Sequence, residues 1–423
     1  MSDSRQHCVV IGAGIIGASC AWHLQRKGLN VTLIDHVPPG QSCSSGNAAC
    51  ISASSVIPFS YPGMIWKVPG WMLDPIGPMR IRPLAIPGLL PWFWRFWRVS
   101  SMQKVESIAT AQAQLMHTVF KDYDEILNAT DSLHLYRSRG AIHVYDTEKE
   151  YLGDQWQREL RARLGFESHR LSADETKALV PCLKLDKGVA VMLPDWHQLL
   201  DPEKVTARIA DHCLANGAAW IQDRVSSVVS DVRGVSLQTE SGHRIEADKL
   251  VVAAGAWSNI IAGQLDYEVP MIAKRGYHSM LADPGVELDY PVMSVSRMFV
   301  MTPLADGLRI AGTAEFAALD AEPDYRCAKA LLKHASHYLD GLKTENVTEW
   351  MGQRPMMADS TPVISASPGH RNVFYAFGHG HYGLTQGPTT GRHIADLVVG
   401  NEPATDLTPF RFDRFAGKYR PGR

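Results

Sequence analysis

The chain has no CxxC pair. Its seven cysteines, Cys8, Cys20, Cys43, Cys50, Cys182, Cys213 and Cys327, are scattered and odd in number, which argues against a disulfide framework or a structural zinc site and suits reduced, cytosolic thiols. An uncharged apolar run of about 20 residues, the length needed to span a bilayer, is also missing. Charge of one sign is not in excess: 42 Lys and Arg stand against 44 Asp and Glu, for a net charge of −2. With no basic block to neutralise a run of phosphates, nucleic acid is not an expected partner. No internal repeat or low-complexity tract occurs, and the N-terminus runs almost directly into a strand-like segment, leaving little room for a cleavable leader. The expected location is therefore the cytoplasm.

What is present is an ordinary folded composition, 45% apolar and 20% charged. At 423 residues the chain exceeds what one core usually organises, so two packed domains are expected. The run His7 to Ile11 reads as a buried strand, Ile15 to Lys27 as a helix closed by Gly28, and Val31 to Ile34 as a second strand ending at Asp35. Between them lies Gly12-Ala13-Gly14-Ile15-Ile16-Gly17. In this strand, turn and helix context Gly12 permits the tight turn, Gly14 lets backbone approach a pyrophosphate at the helix N-terminus, and Gly17 allows close helix packing. Asp35 is placed to accept ribose hydroxyls, which argues against NADP but leaves FAD and NAD open.

Three later segments bear on that choice. Ser42 to Ala49 is small and polar, with Ser44, Ser45, Gly46, Asn47 and Ala48 able to thread beside a flavin ring. Ala253 to Ser258, including Ala254, Gly255 and Trp257, is a second small-residue turn following the strand-like Lys249 to Ala253. Gly378 to Thr385 is a glycine-rich turn into a helix, containing His379, Gly380, His381, Tyr382, Gly383, Leu384 and Thr385, whose N-terminus suits negative charge on a reduced flavin.

Taken with Gly352 to Ser365 (GQRPMMADSTPVIS) and Phe377 to Gly391, these motifs resemble the D-amino acid oxidase and dehydrogenase superfamily of flavoproteins, and within it most resemble the bacterial D-amino acid dehydrogenases. The resemblance implies an α/β fold: a Rossmann-like, glutathione-reductase-type FAD-binding domain, discontinuous in sequence (1–60, 196–270 and 345–423), and an α+β substrate domain with a mixed or antiparallel sheet (61–195 and 271–344). It implies non-covalent FAD, with Val225 among its contacts, since Cys43 and Cys50 match no flavin-linkage motif. It also implies hydride transfer from an amine carbon to flavin N5, followed by hydrolysis of the imine.

In such proteins the arginine of GxRP grips the substrate carboxylate, which here is Arg354. A planar guanidinium gives a carboxylate two parallel donors; the competing reading is a structural ion pair. Tyr277, in Lys274-Arg275-Gly276-Tyr277-His278, is expected to join Arg354 at the carboxylate or else to be a core tyrosine. His379 and His381 are expected to bond the flavin or orient the amine; no Cys, Asp or Glu cluster accompanies them to suggest a metal. No general base is required if the neutral amine is bound.

Leu89 to Val99 (LLPWFWRFWRV) holds three tryptophans, two phenylalanines and two arginines. As a helix it either packs on the second domain or lies at a bilayer interface on the inner face of the cytoplasmic membrane, passing electrons to a quinone or other respiratory acceptor. The first expectation is thus an FAD-dependent D-amino acid dehydrogenase acting on an amino or imino acid. The alternatives are an oxygen-using glycine, sarcosine or amine oxidase, and a non-catalytic redox sensor, the last opposed by Arg354 beside the flavin motifs.

Overall fold

A computed structural model describes residues 5–64, 68–74 and 77–416. Part of the proline-rich passage between Pro58 and Pro91, where the sequence suggests a domain crossing, lies outside the described residues. Strand β1 (His7–Ile11), helix α1 (Ile15–Arg26) and strand β2 (Asn30–Asp35) form the N-terminal βαβ start. They enter a sheet in the order Ala219–Gln222, β2, β1, Lys249–Val252, Val373–Phe377 and Val363–Ala366. The first five strands are parallel and the last is antiparallel. Taken in chain order the parallel strands run 3-2-1-4-5, the dinucleotide arrangement, whose order reverses beside β1. Ligands of such sheets bind beyond the carboxyl ends of the strands at that reversal.

The inner parallel strands are buried on both faces, as they must be when helices cover them, while the edge strand Ala219–Gln222 is partly exposed. Glycines make the helix packing close. Gly12 has φ +105°, and a Cβ there would meet the Ala253 carbonyl oxygen at 2.4 Å; a Cβ on Gly17 would meet the Gly12 carbonyl oxygen at 1.8 Å.

Next come the short strand β3 (Cys50–Ser52) and helix α2 (Ile86–Arg98). A mixed sheet of nine strands forms the second layer system. Its edge consists of β4 (Met271–Leu281), β5 (Gly307–Phe316) and β6 (Val347–Met357), with β4 between the other two and antiparallel to both. Helix α3 (Arg326–Tyr338) covers one face of β4, where Ser279 Oγ donates to the Ala328 carbonyl and Tyr277 packs with Cys327 and Ala328. Helix α4 (Gly383–Val398) returns to pack on α1.

One sequence expectation needs correction. The expected nucleotide-domain segment 345–423 opens with β6, yet β6 pairs along all eleven of its residues with β4 and belongs to the nine-stranded sheet. After α2 the chain forms two further helices, Met102–Met116 and Val119–Ala129, separated at His117 and Thr118.

Candidate active site

One continuous cavity of about 1310 Å³ runs from the carboxyl ends of the parallel strands to the edge of the nine-stranded sheet. That is larger than an ordinary small-ligand pocket and leaves room for a dinucleotide together with a small substrate. At one end Asp35 Oδ2 accepts the Ala13 amide at 2.8 Å, and Oδ1 accepts the His36 amide at 2.7 Å. The carboxylate thus fixes the Gly12-Ala13 turn while bordering the cavity with Val225, Ala254, Gly255 and Trp257.

Further in, the N-terminus of α1 has Gly14 as N-cap and no side-chain cap on the helix, and Ser44 Oγ accepts the Ile15 amide at 2.9 Å. Gly12, Gly14, Ile15, Ile16, Ser44, Gly46, Asn47 and Ala48 line this stretch. An uncapped helix start facing a cavity is a ready anion site. Asn47 holds its loop by donating to the Ser44 carbonyl and accepting the Ala49 amide, both at 2.7 Å. Arg309 pins the same loop through 2.8 Å bonds to the Ser45 and Asn47 carbonyls. A second uncapped helix start, at Tyr382 and Gly383 of α4, borders the cavity from the other side with Gly380 and Leu384. Two helix N-termini, an acid at the end of β2 and a long cavity fit the phosphates, ribose and ring system of FAD.

Not every residue expected at the cofactor reaches it. Gly17 serves the helix contact already described. Ser45 turns its hydroxyl to the Ser42 carbonyl, and Thr385 is buried, accepting the Ser52 amide at 3.0 Å to tie β3 to α4. None of the three borders the cavity.

At the far end β4 and β6 set the chemistry by register. Lys274 is opposite Arg354, Gly276 opposite Gly352 and Tyr277 opposite Met351. Side chains alternate between faces along a strand, and opposed antiparallel residues share a face. Lys274, Gly276 and Arg354 therefore face the cavity, whereas Arg275 and Tyr277 face α3. The Arg354 guanidinium lies over Gly276, where a Cβ would stand 2.0 Å from Cζ, and its Nη1 donates to the Thr313 carbonyl at 2.9 Å. Among the described residues no carboxylate pairs with it. Burial lowers its pKa to about 10, so it stays charged near neutrality.

Tyr277 does not join Arg354. Although it borders the cavity, its hydroxyl donates to Glu315 and accepts the Asp324 amide on the opposite side of the sheet. Glu315 there also pairs with Arg82 at 2.7 Å and faces the fully buried Arg275 at 3.5 Å. The two histidines diverge as well, because Gly380 between them takes φ +57°. His379 Nε2 meets Thr390 Oγ1 at 3.0 Å, and burial pushes its pKa down to about 3. The His381 ring instead lies tilted against Phe59, with centroids 4.3 Å apart, and its buried Nδ1 has no partner among the described residues. Burial, then the charges of Lys274 and Arg354, hold it well below its ordinary value. The neutral imidazole is its stable form.

Sequence reasoning passed over Lys274, Phe59 and Trp350, all of which line the cavity. The signal for Lys274 was its place two residues before a glycine in a strand; for Phe59 and Trp350 the sequence carries none. Cys43 donates to the Gln353 carbonyl, and burial raises its pKa, as it raises that of Cys50 to about 12, so both remain thiols.

The family model described as FAD dependent oxidoreductase, DAO, matches residues 7–397. The chain belongs to this family and is an FAD-dependent oxidoreductase. It is 33% identical to a D-amino-acid oxidase of Bradyrhizobium diazoefficiens over 98% of this chain and 100% of that protein. It is 30% identical to D-amino acid dehydrogenase 2 of Ralstonia nicotianae, covering 96% and 99%. Among solved structures, a glycine oxidase from Geobacillus kaustophilus shares the fold with a TM-score of 0.75 at 22% identity, covering 97% of this chain and 100% of that one.

Proposed function

We propose that the protein oxidises the carbon–nitrogen bond of a D-amino or imino acid and passes the electrons to a respiratory acceptor. Bound FAD, held without a covalent link, supplies the hydride acceptor, and the imine product hydrolyses in water. The observation that carries this reading is Arg354: a charged guanidinium facing the cavity, fixed by backbone carbonyls and lacking a protein carboxylate. A substrate carboxylate completes it with two parallel hydrogen bonds, and this fixes which substituent points along the cavity. The D-named relatives, at 30% and 33% identity, support the stereochemistry. An anaerobic flavin-bleaching screen over both enantiomers of amino acids, prolines and N-methylglycine tests the reading; a flavin that no amino or imino acid bleaches would overturn it. Rapid oxygen uptake with peroxide release under turnover would favour the oxygen-using oxidase instead.

The acceptor reading draws on α2. One side of this helix packs inward, with Leu89 and Trp92 buried against Met79, Phe316 and Met356. Its other side is also apolar and open, with Leu90 60%, Trp94 52% and Trp97 55% exposed, and Leu84 in the turn just before the helix is 98% exposed. From 83 to 105 the chain carries Arg95, Arg98 and Lys104 and no acid. A doubly apolar helix with a basic end suits an anionic bilayer surface on the inner face of the cytoplasmic membrane. Ser60 bonds the Phe96 carbonyl and Phe59 borders the cavity, so this face adjoins the site. No described helix is long and apolar enough to cross a membrane. Flotation with phosphatidylglycerol vesicles, lost on Trp94→Ser with Trp97→Ser, is the expected result; equal failure to float with anionic and neutral vesicles would refute it.

A further inference from the structure

Buried cations in proteins are paired with carboxylates, because an isolated charge is strongly destabilised away from water. Lys274 departs from this. It is only 5% exposed, and its Nζ rests 4.6 Å from the centroid of the Phe59 ring. Among the described residues no carboxylate pairs with it, and burial, then the charge of Arg354, hold its pKa well below the usual lysine value. His381 lies beside both, its ring tilted against the same Phe59 and with a ring nitrogen that has no partner among the described residues. Acids that border the cavity elsewhere are engaged by their own neighbours: Glu150 accepts the Ser296 hydroxyl, Asp154 accepts the Tyr145 hydroxyl, Asp223 accepts the Ser241 hydroxyl, Glu240 pairs with Arg224 at 3.5 Å, and Asp35 holds the Ala13 turn. One corner of the cavity thus gathers a charged guanidinium, a buried amine whose proton no anion holds, and a polar ring, with no carboxylate paired to any of them among the described residues.

The two side chains leave opposed positions on neighbouring strands but do not converge. The guanidinium folds over Gly276 toward the carbonyls of Gly312 and Thr313, while the Lys274 amine reaches toward Phe59. A substrate with one carboxylate would balance Arg354 and leave Lys274 with no anion to hold a proton on its amine. A substrate with two carboxylates balances both.

We propose, resting on the amino acid reading above, that the preferred substrate is an amino dicarboxylate or imino diacid. Its α-carboxylate sits on Arg354, and its second carboxylate takes Lys274 with the free His381 nitrogen beside it. Lys274 is then a specificity-determining residue.

The test compares acids with their near-isosteric amides in the FAD-loaded enzyme under anaerobic stopped flow: glutamate against glutamine and aspartate against asparagine, in both enantiomers, with iminodiacetate and D-proline alongside. The expected result is that the reactive enantiomer reduces the flavin at least tenfold more efficiently as the acid. Lys274→Met should collapse that ratio to near one, while Lys274→Arg keeps most of it. In a readout independent of turnover, malonate should perturb the flavin absorption spectrum with an affinity at least tenfold above that of acetate, and Lys274→Met should remove the difference. Amides reducing the wild-type flavin as well as acids, or a ratio untouched by Lys274→Met, would overturn the proposal. If D-proline or amides bleach the flavin and acids lag, this inference fails and the amino acid reading stands; if nothing bleaches it, the amino acid reading itself fails.

Discussion

Replacing Gly276 with alanine asks whether the guanidinium over the strand is the substrate's anchor. The added Cβ would stand 2.0 Å from Arg354 Cζ and 2.0 Å from Nη2, with Nη1 at 2.3 Å, so the guanidinium cannot remain where it is. It would leave its bonds to the carbonyls of Thr313 and Gly312 and swing off the axis on which a carboxylate is gripped. A hydrogen bond to a charged group contributes about 1.5–3 kcal/mol. Loss of that amount from transition-state binding lowers kcat/KM by about tenfold to 150-fold, since about 1.4 kcal/mol is one decade. Gly276 does not touch the stretch of the cavity beside Asp35 and α1, so flavin occupancy should be preserved. The assay is steady-state kcat/KM on the best substrate of the bleaching screen, with the flavin-to-protein absorbance ratio measured on the same preparation. Unchanged efficiency in a flavin-replete Gly276→Ala protein would show that Arg354 does not hold the substrate.

Tyr277→Phe should lower stability by about 1–3 kcal/mol, because the buried Glu315 and the Asp324 amide lose a partner, while KM changes by less than about threefold; a large KM rise at unchanged stability would return the hydroxyl to the substrate. Asp35→Ala removes the acceptor of the Ala13 amide and should weaken FAD retention about tenfold or more by equilibrium ultrafiltration; full occupancy at sub-stoichiometric FAD would contradict this. Gly391→Ala places a Cβ 2.6 Å from the backbone of Ser19 in α1, and overpacking of this kind costs about 1–3 kcal/mol, read as a lower unfolding midpoint; an unchanged midpoint would refute the packing argument. Burial depresses His23, His143 and His379 from 6.5 to about 3. Between those values the unfolded chain binds more protons, so stability is present in full above pH 6.5 and is lost as pH falls, by about 1 kcal/mol per histidine between pH 6.5 and 5.5. Urea unfolding at the two pH values checks it, and equal midpoints would refute it.

The parts of the site that are legible in the sequence are those encoded locally. Gly12 to Gly17 and Asp35 belong to one continuous strand, turn and helix, so spacing alone specifies their arrangement. Asp201 and Pro202 opening a helix are equally local, and Asp201 accepts the Lys204 amide at 2.9 Å as an N-cap should. Facing is different, because it depends on which strand pairs with which. Lys274-Arg275-Gly276-Tyr277 shows no apolar alternation, so nothing in it tells which two side chains enter the cavity. Only pairing with β6, some 75 residues away in sequence, decides that Lys274 does and the Tyr277 hydroxyl does not. The same holds for β6 itself, whose own GxRP motif signals a flavin enzyme but not which sheet carries it.

The alternation along β4 also explains how unpaired basic side chains can be held in a folded protein at all. On the face toward α3, Arg275 is neutralised by Glu315 and capped by the carbonyls of Ala318 and Glu322, while Tyr277 and Arg82 satisfy the same carboxylate. A buried ion pair of this sort contributes little net stability, but a one-residue slip would drive Arg275 and Tyr277 into the cavity and leave Glu315 with Arg82 alone. The hidden network therefore fixes register, and eleven residues of pairing with β6 transmit it. With register fixed on one face, Lys274 and Arg354 are held on the other, where burial and the guanidinium disfavour a proton on Lys274 and neither meets a carboxylate among the described residues. The charge that the site lacks is left for the ligand to bring.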